Sequence, residues 1–203
     1  MANNFATLAF TDTVKALQER NGSRKAYARG EQGPVSNDRL GPDELGFIAA
    51  RDSFYLATVS ETGWPYVQHR GGPAGFVRAL DQHTLLFADV RGNKQFISVG
   101  NLSANDRVAI IFMDYPNQTR LKLLGRASIV PVSEVPAEHR PIADERPVER
   151  FFKVRVEAVD WNCPQGITPR FTVEEIETMA EPLRRRLARA EAAMKKAGVK
   201  LDA

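Results

Sequence analysis

Between Arg51 and Asn101 the chain alternates short β-rich apolar runs with tight turns, and that rhythm leaves few folds open. Phe54–Ser60 (FYLATVS) meets the turn Glu61-Thr62-Gly63 and continues into residues 64–70 (WPYVQHR). After Gly71-Gly72-Pro73 come Phe76–Leu80 and Thr84–Ala88, joined by Asp81-Gln82-His83. Runs this short, with turns of this composition, pair as antiparallel hairpins. Helical patterns do not alternate with the strands, which argues against a doubly wound parallel sheet.

The rest of the chain extends the same pattern. Arg107–Asp114 (RVAIIFMD) is the most hydrophobic run, and its continuity predicts burial on both faces. Thr119–Val130 pairs with it across Tyr115-Pro116-Asn117-Gln118, and a proline-rich connection leads to a last strand, Phe151–Asp160. Six or seven antiparallel strands with peripheral helices make a mainly-β, Greek-key barrel.

Helices are expected over residues 11–20, stopped by Asn21-Gly22, and from an Asp43 cap to about Ala50. The stretch Ser23–Gly41 between them reads as an arm or loop. Asn93 is expected to cap a third helix from Lys94 to about Leu102. Thr172 and Glu175 form a capping box before a longer helix. Its Ile176, Met179, Leu183, Leu187, Ala190 and Met194 recur at steps of three and four on one face, and Pro182 should kink or restart it. The expected division is 1–42 (N-terminal helix and arm), 43–171 (barrel) and 172–203 (a helix on the barrel or across a dimer).

With 203 residues, 43% of them hydrophobic and 26% charged, the chain suits one soluble domain. It holds no apolar run of bilayer length and no leader-like N-terminus, and its single Cys163 cannot form an intrachain disulfide. The expected location is the cytoplasm, away from membranes. The net charge of +3 is spread along the chain, and Arg184–Arg186 share their helix with Glu174, Glu175, Glu177, Glu181 and Glu191. That reads as a solvated helix face rather than a nucleic-acid surface.

There is no dinucleotide fingerprint, phosphate-cradling lysine loop or nucleophile elbow. His69, His83 and His139 lie far apart, so no metal site is expected. Four groups remain. Gln68-His69-Arg70 precede a Gly71-Gly72 bend, where glycines would admit a ligand and Arg70 offers a fork for phosphate, or form a polar bulge. Gly92-Asn93-Lys94 open a helix, where free amides and a lysine favour an anion, although polar helix starts are common. Arg120 lies two residues from Lys122, on one strand face. Trp161, Cys163 and Arg170 follow the last strand, either covering a ring system or tucked under a loop.

In this order the groups resemble the pyridoxamine 5'-phosphate oxidase-like, FMN-binding split-barrel family, in particular its predicted flavin-nucleotide-binding subgroup. The resemblance rests on ATVSETGWPYVQ, FADVRGNKQFISVGNL, RVAIIFMD, TRLKLLGRASIV and the late Trp161. It implies a homodimer with FMN at the subunit interface. Gln68, His69 and Arg70 would line the flavin, and Asn93 and Lys94 would take its phosphate. Arg120 would lie beside the flavin, and Trp161 with Arg170 would approach from the partner subunit. The implied activity is FMN-dependent oxidoreduction of a small molecule, with NAD(P)H a candidate donor. The other readings are flavin binding without turnover, and haem or deazaflavin on the same barrel. In the true oxidase an arginine stands where Gln68 is, and a Ser-Arg-Lys turn stands in place of Gly92-Asn93-Lys94. Its late Arg-x-His pattern is missing here, so oxidation of pyridoxamine phosphate is not implied.

Overall fold

A computed structural model describes residues 2–143 and 145–198. The chain opens with a short strand β1 (Ala2–Asn3) and helices α1 (Asn4–Ala9), α2 (Asp12–Arg20) and α3 (Arg24–Ala28). Strand β2 (Val35–Ser36) and helix α4 (Pro42–Ala49) follow. Then come β3 (Ser53–Val59), β4 (Pro65–Gly71), β5 (Val77–Asp81), β6 (Thr84–Val90) and helix α5 (Ile97–Ala104). Strands β7 (Arg107–Asp114), β8 (Thr119–Pro131) and β9 (Val148–Asn162) complete the sheet, and helix α6 (Val173–Lys196) ends the described chain.

Seven strands form one sheet in the order β4-β3-β7-β8-β9-β6-β5, and all neighbours run antiparallel. Three hairpins, β3–β4, β5–β6 and β7–β8, are set apart in that order, with the long β9 between β8 and β6. The Phe54 ring of β3 lies 5.0 Å from the Phe87 ring of β6, although the two strands are not neighbours in the sheet. Such contact requires the sheet to roll up on itself. The edges β4 and β5 do not pair with one another, and the fold is a split barrel. Phe54, Phe87, Phe112, Phe152, Leu56, Leu121 and Leu123 fill its interior, each at most 1% exposed. At the kink between Leu124 and Gly125, β9 passes so close that a side chain on Gly125 would collide with the Arg155 carbonyl. Only glycine fits there.

Several sequence expectations change in the structure. The β7 run alternates strictly: Val108, Ile110, Phe112 and Asp114 are buried, while Ala109, Ile111 and Met113 are half-buried. A continuous apolar run cannot by itself distinguish a strand enclosed on both faces from one with a partly covered outer face. The 23–41 stretch is not all loop, because α3 and β2 lie in it, β2 pairs with β1, and Leu40 is fully buried. Asn37 clips this arm to β9, accepting from the Val159 amide at 2.8 Å. Gly41, not Asp43, caps α4; Pro42 is its first residue, and Glu44 accepts from the Gly41 amide at 2.8 Å.

Helix α5 begins at Ile97, later than expected. Asn93 instead accepts from the Gln95 amide at 3.2 Å and closes a local turn. Helix α6 runs unbroken through Pro182. The hydrogen bond lost there frees only the carbonyl of Thr178, an exposed residue whose carbonyl water can reach.

Candidate functional site

Strand β4 faces its neighbours with a period of two. Tyr66, Gln68 and Arg70 pair in register with Thr58, Leu56 and Phe54, whose side chains point inward. His69 pairs with Tyr55 on the outer face, and their rings meet edge to face at 5.5 Å. Beside the inward face of β4, the turn after β6 and the start of α5 leave a cavity of about 440 Å³. Tyr66, Gln68, Arg70, Asp89, Lys94 and Ser98 are among its lining residues.

The wall opposite β4 is held in an unusual backbone. Lys94 (φ 59) and Phe96 (φ 54) both adopt the left-handed conformation, at a cost of order 1 kcal/mol or more each. Phe96 occupies the cap position of α5 and makes no side-chain capping bond, so the first amides of the helix have no cap from that side chain. Gln68 is fixed by the Ser98 hydroxyl, which donates to its Oε1 at 2.8 Å and leaves its amide nitrogen for other acceptors. Ser98 itself is almost fully buried.

At the floor, Arg70 projects into the barrel with its guanidinium 4.8 Å from the Phe152 ring and 6.0 Å from that of Phe87. Its Nη1 donates to Asp89 Oδ1 at 2.6 Å, while its buried Nε has no partner. Arg150 approaches the other Asp89 oxygen at 3.3 Å and donates to Glu149 at 2.8 Å. Two guanidiniums thus share one half-buried aspartate, and the floor carries an excess of donors. The hydrogen bond from Arg150 outweighs partial burial and, with Arg91, holds the Glu149 carboxyl below its ordinary range.

The Gly71-Gly72 bend serves packing. A side chain on Gly72 would meet Phe76 at 2.8 Å, and one on Gly71 would meet the His69 ring at 3.1 Å. Both glycines lie against the chain's own atoms.

The structure therefore gathers Gln68, His69, Arg70, Asn93 and Lys94 around one cavity, with the His69 ring turned outward. Arg120, Trp161 and Arg170 do not line it. Arg120 sits opposite Asn162 in the β8–β9 register, and its buried Nε and the Asn162 Oδ1 both lack partners. Trp161 donates from Nε1 to Glu44 and packs edge to face on Phe47 at 4.8 Å. Arg170 lies 5.0 Å over the Tyr115 ring. The Tyr115 hydroxyl is raised above its usual range by a hydrogen bond with Tyr55 and by burial, against the opposing charge of Arg170.

Tyr66, Asp89, Ser98, Glu149 and Arg150 escaped the sequence reading. Tyr66 was within reach, because it stands two residues before Gln68 and so shares its strand face. Asp89 and Arg150 become partners only through the β6–β9 register.

The sequence model of the pyridoxamine 5'-phosphate oxidase family matches residues 43–163, which spans β3 to β9 and the whole cavity wall. The chain belongs to the pyridoxamine 5'-phosphate oxidase family. No curated protein matches it. Among solved structures it is similar to HupZ of Group A Streptococcus (17% identity, 65% of this chain and 100% of that one, TM-score 0.47). It is also similar to HutZ, the haem storage protein of Vibrio cholerae (20% identity, 60% and 94%, TM-score 0.43). A third is a Clostridium acetobutylicum protein related to general stress protein 26 of B. subtilis (14% identity, 66% and 94%, TM-score 0.45). Among the described residues no helix is long and apolar enough to cross a membrane.

Proposed function

We propose that the chain binds FMN in the cavity beside β4 and works as an FMN-dependent oxidoreductase on a small molecule. The observation that carries this reading is the donor-rich cavity within the family-matched segment. Its volume of about 440 Å³ lies in the usual range for small-molecule sites, roughly 300–1,000 Å³. The donor set fits a phosphorylated cofactor. Lys94, Asn93 and the first amides of α5 would hold the phosphate, through a point charge and the positive end of the helix. Gln68 would offer its amide nitrogen to the ribityl chain or ring.

Where the oxidase carries an arginine, this chain has Gln68; Arg70, two residues on and on the same face, supplies a guanidinium. With one nitrogen on Asp89 and another buried without a partner, Arg70 would keep the floor positive beneath the bound anion. Bound FMN would supply hydride or electron transfer, which the side chains here cannot perform. The protein would be a homodimer, with Trp161 and Arg170 of one subunit approaching the cofactor of the other. The setting is the cytoplasm, with NAD(P)H a candidate electron donor.

One observation favours a second reading, flavin binding without turnover. Among the described residues, the carboxylates lining the cavity, Asp89 and Glu149, are already engaged in ion pairs with arginines.

The decisive measurement is the absorbance spectrum and mass of whatever copurifies with the protein. Yellow protein releasing FMN supports the proposal, whereas a haem or deazaflavin spectrum replaces it. Colourless protein that ignores added FMN overturns it. Bleaching by NADH or NADPH, with reoxidation by an acceptor, separates turnover from binding alone.

A further inference from the structure

Helix α6 is a 24-residue rod, about 36 Å long, in which no residue is buried. Its stripe is nonetheless apolar: Ile176, Met179, Leu183 and Leu187 are 51–65% exposed, and Ala190 and Met194 continue it. A stripe of this length on a helix in water requires a cover. The barrel does not provide one, since only the first turns of α6, to Met179, reach the surface pocket beside the β7–β8 turn.

The charges along the same helix indicate what the cover is. From Val173 to Glu181 it carries Glu174, Glu175, Glu177 and Glu181 and no basic residue. From Pro182 to Lys196 it carries Arg184, Arg185, Arg186, Arg189, Lys195 and Lys196 against the single Glu191. A second copy laid parallel would set acid on acid and base on base. Laid antiparallel, the acidic half of each helix faces the basic half of the other, and the two helix dipoles oppose. The stripe averages the pitch of a straight helix, so two such faces meet without a supercoil. Arg185, at the middle, is tied to Glu181 at 2.6 Å within its own helix, on the side away from the stripe.

We infer that α6 is a self-association element, pairing antiparallel with α6 of a second copy and centred on Leu183 and Leu187. In that register Ala180 of one helix faces Ala190 of the other. The inference does not depend on the flavin reading, because it involves no cavity residue.

Disulfide trapping in the full-length protein tests it, in a Cys163→Ser background that removes the only native cysteine. The chain carrying both Ala180→Cys and Ala190→Cys should form covalent dimers under mild oxidation, while either single variant should stay uncoupled. Adding Leu183→Glu and Leu187→Glu to the double-cysteine chain should lower the cross-linked fraction at least tenfold. Leu183, Leu187 and Ala190 are exposed and Ala180 is half-buried, so the fold should survive, as circular dichroism would verify. Coupling of the single variants at the rate of the double variant would mean a parallel pair and overturn the inference. No coupling in any variant, or coupling that survives the glutamates, would do so as well. The stripe would then have a different partner or none.

Discussion

Two regions of this barrel use similar residue types to different ends. Around the cavity, Arg70 and Arg150 converge on one carboxylate, Asp89, and two guanidinium nitrogens are left without hydrogen-bond partners. Around the β7–β8 turn, charge and acceptor are matched. Arg51 pairs with Asp114 at 2.8 Å and lies 4.7 Å over Phe47; Asn117 donates to Asp114 at 3.0 Å, and Gln118 donates to the Ile167 carbonyl at 2.7 Å. The second region is a brace in which Arg51, Asp114, Asn117 and Gln118 are consumed in holding a turn; just beyond it, one donor, Arg120 Nε, and one acceptor, Asn162 Oδ1, are unpartnered, equal in number. The first keeps donors in reserve around a space, and its wall is strained where the brace is relaxed at all but Gln118. Surplus donors together with backbone strain mark the region built for a ligand.

Exchanging Asp89 for Asn should break this contrast most sharply. It strands the partly buried Arg70 without its counter-ion and leaves Arg150 with Glu149 alone, a loss of about 3–5 kcal/mol in unfolding free energy. Urea denaturation would show it, and FMN retention should fall as the floor rearranges. Wild-type stability in this variant would mean that the shared aspartate is not holding the floor.

Lys94→Gly separates ligand binding from stability. Glycine relieves the left-handed backbone, so the ligand-free protein should gain about 1 kcal/mol. FMN affinity should drop by about 1.5–3 kcal/mol, roughly ten- to a hundredfold, as the charge-assisted bond is lost. Calorimetry on the same preparation reads both. Equal affinity would remove Lys94 from the phosphate site.

Arg170→Ala probes the brace and, through the proposed dimer, the cavity. In the subunit it costs at most one cation–π contact, about 0.5–1 kcal/mol. A tenfold loss of FMN affinity alongside that small change would place Arg170 over a partner's cofactor, and unchanged affinity would confine it to its own Tyr115.

The smallest expected effect follows from pH. Burial acts to raise the Asp114 carboxyl, but hydrogen bonds from Asn117 and the charge of Arg51 outweigh it and hold the group below its ordinary range. A depressed carboxyl contributes stability above its unfolded value and loses it as pH falls through the folded one. Stability should therefore decline from about pH 4 downward, near the ordinary aspartate value, and less steeply in Asp114→Asn. Parallel acid titrations of the two proteins would show a mutation-independent slope if Asp114 is not involved.

Much of the barrel was legible because hairpin turns and period-two runs are local. Glu61-Thr62-Gly63 fixes the β3–β4 turn, with Gly63 at φ 87, and the family motifs fall on the same strands. The start of α5 was not legible. Asn93 is a good cap by type, yet its side chain closes a turn with Gln95 and the chain passes through two left-handed residues before the helix begins. Propensity cannot weigh such strain against what the cavity wall requires.

The sequence by itself determined the strands, their hairpins, the family and the gathering of Gln68, Arg70, Asn93 and Lys94, since turn chemistry, side-chain alternation and motif order are all written along the chain. Only the tertiary structure decided that Arg70 shares Asp89 with Arg150 inside the barrel, and that Trp161 braces α4 through Glu44 and Phe47. Those partners lie tens of residues apart. What joins them is the roll of the sheet and the register of β9, and no local pattern encodes either.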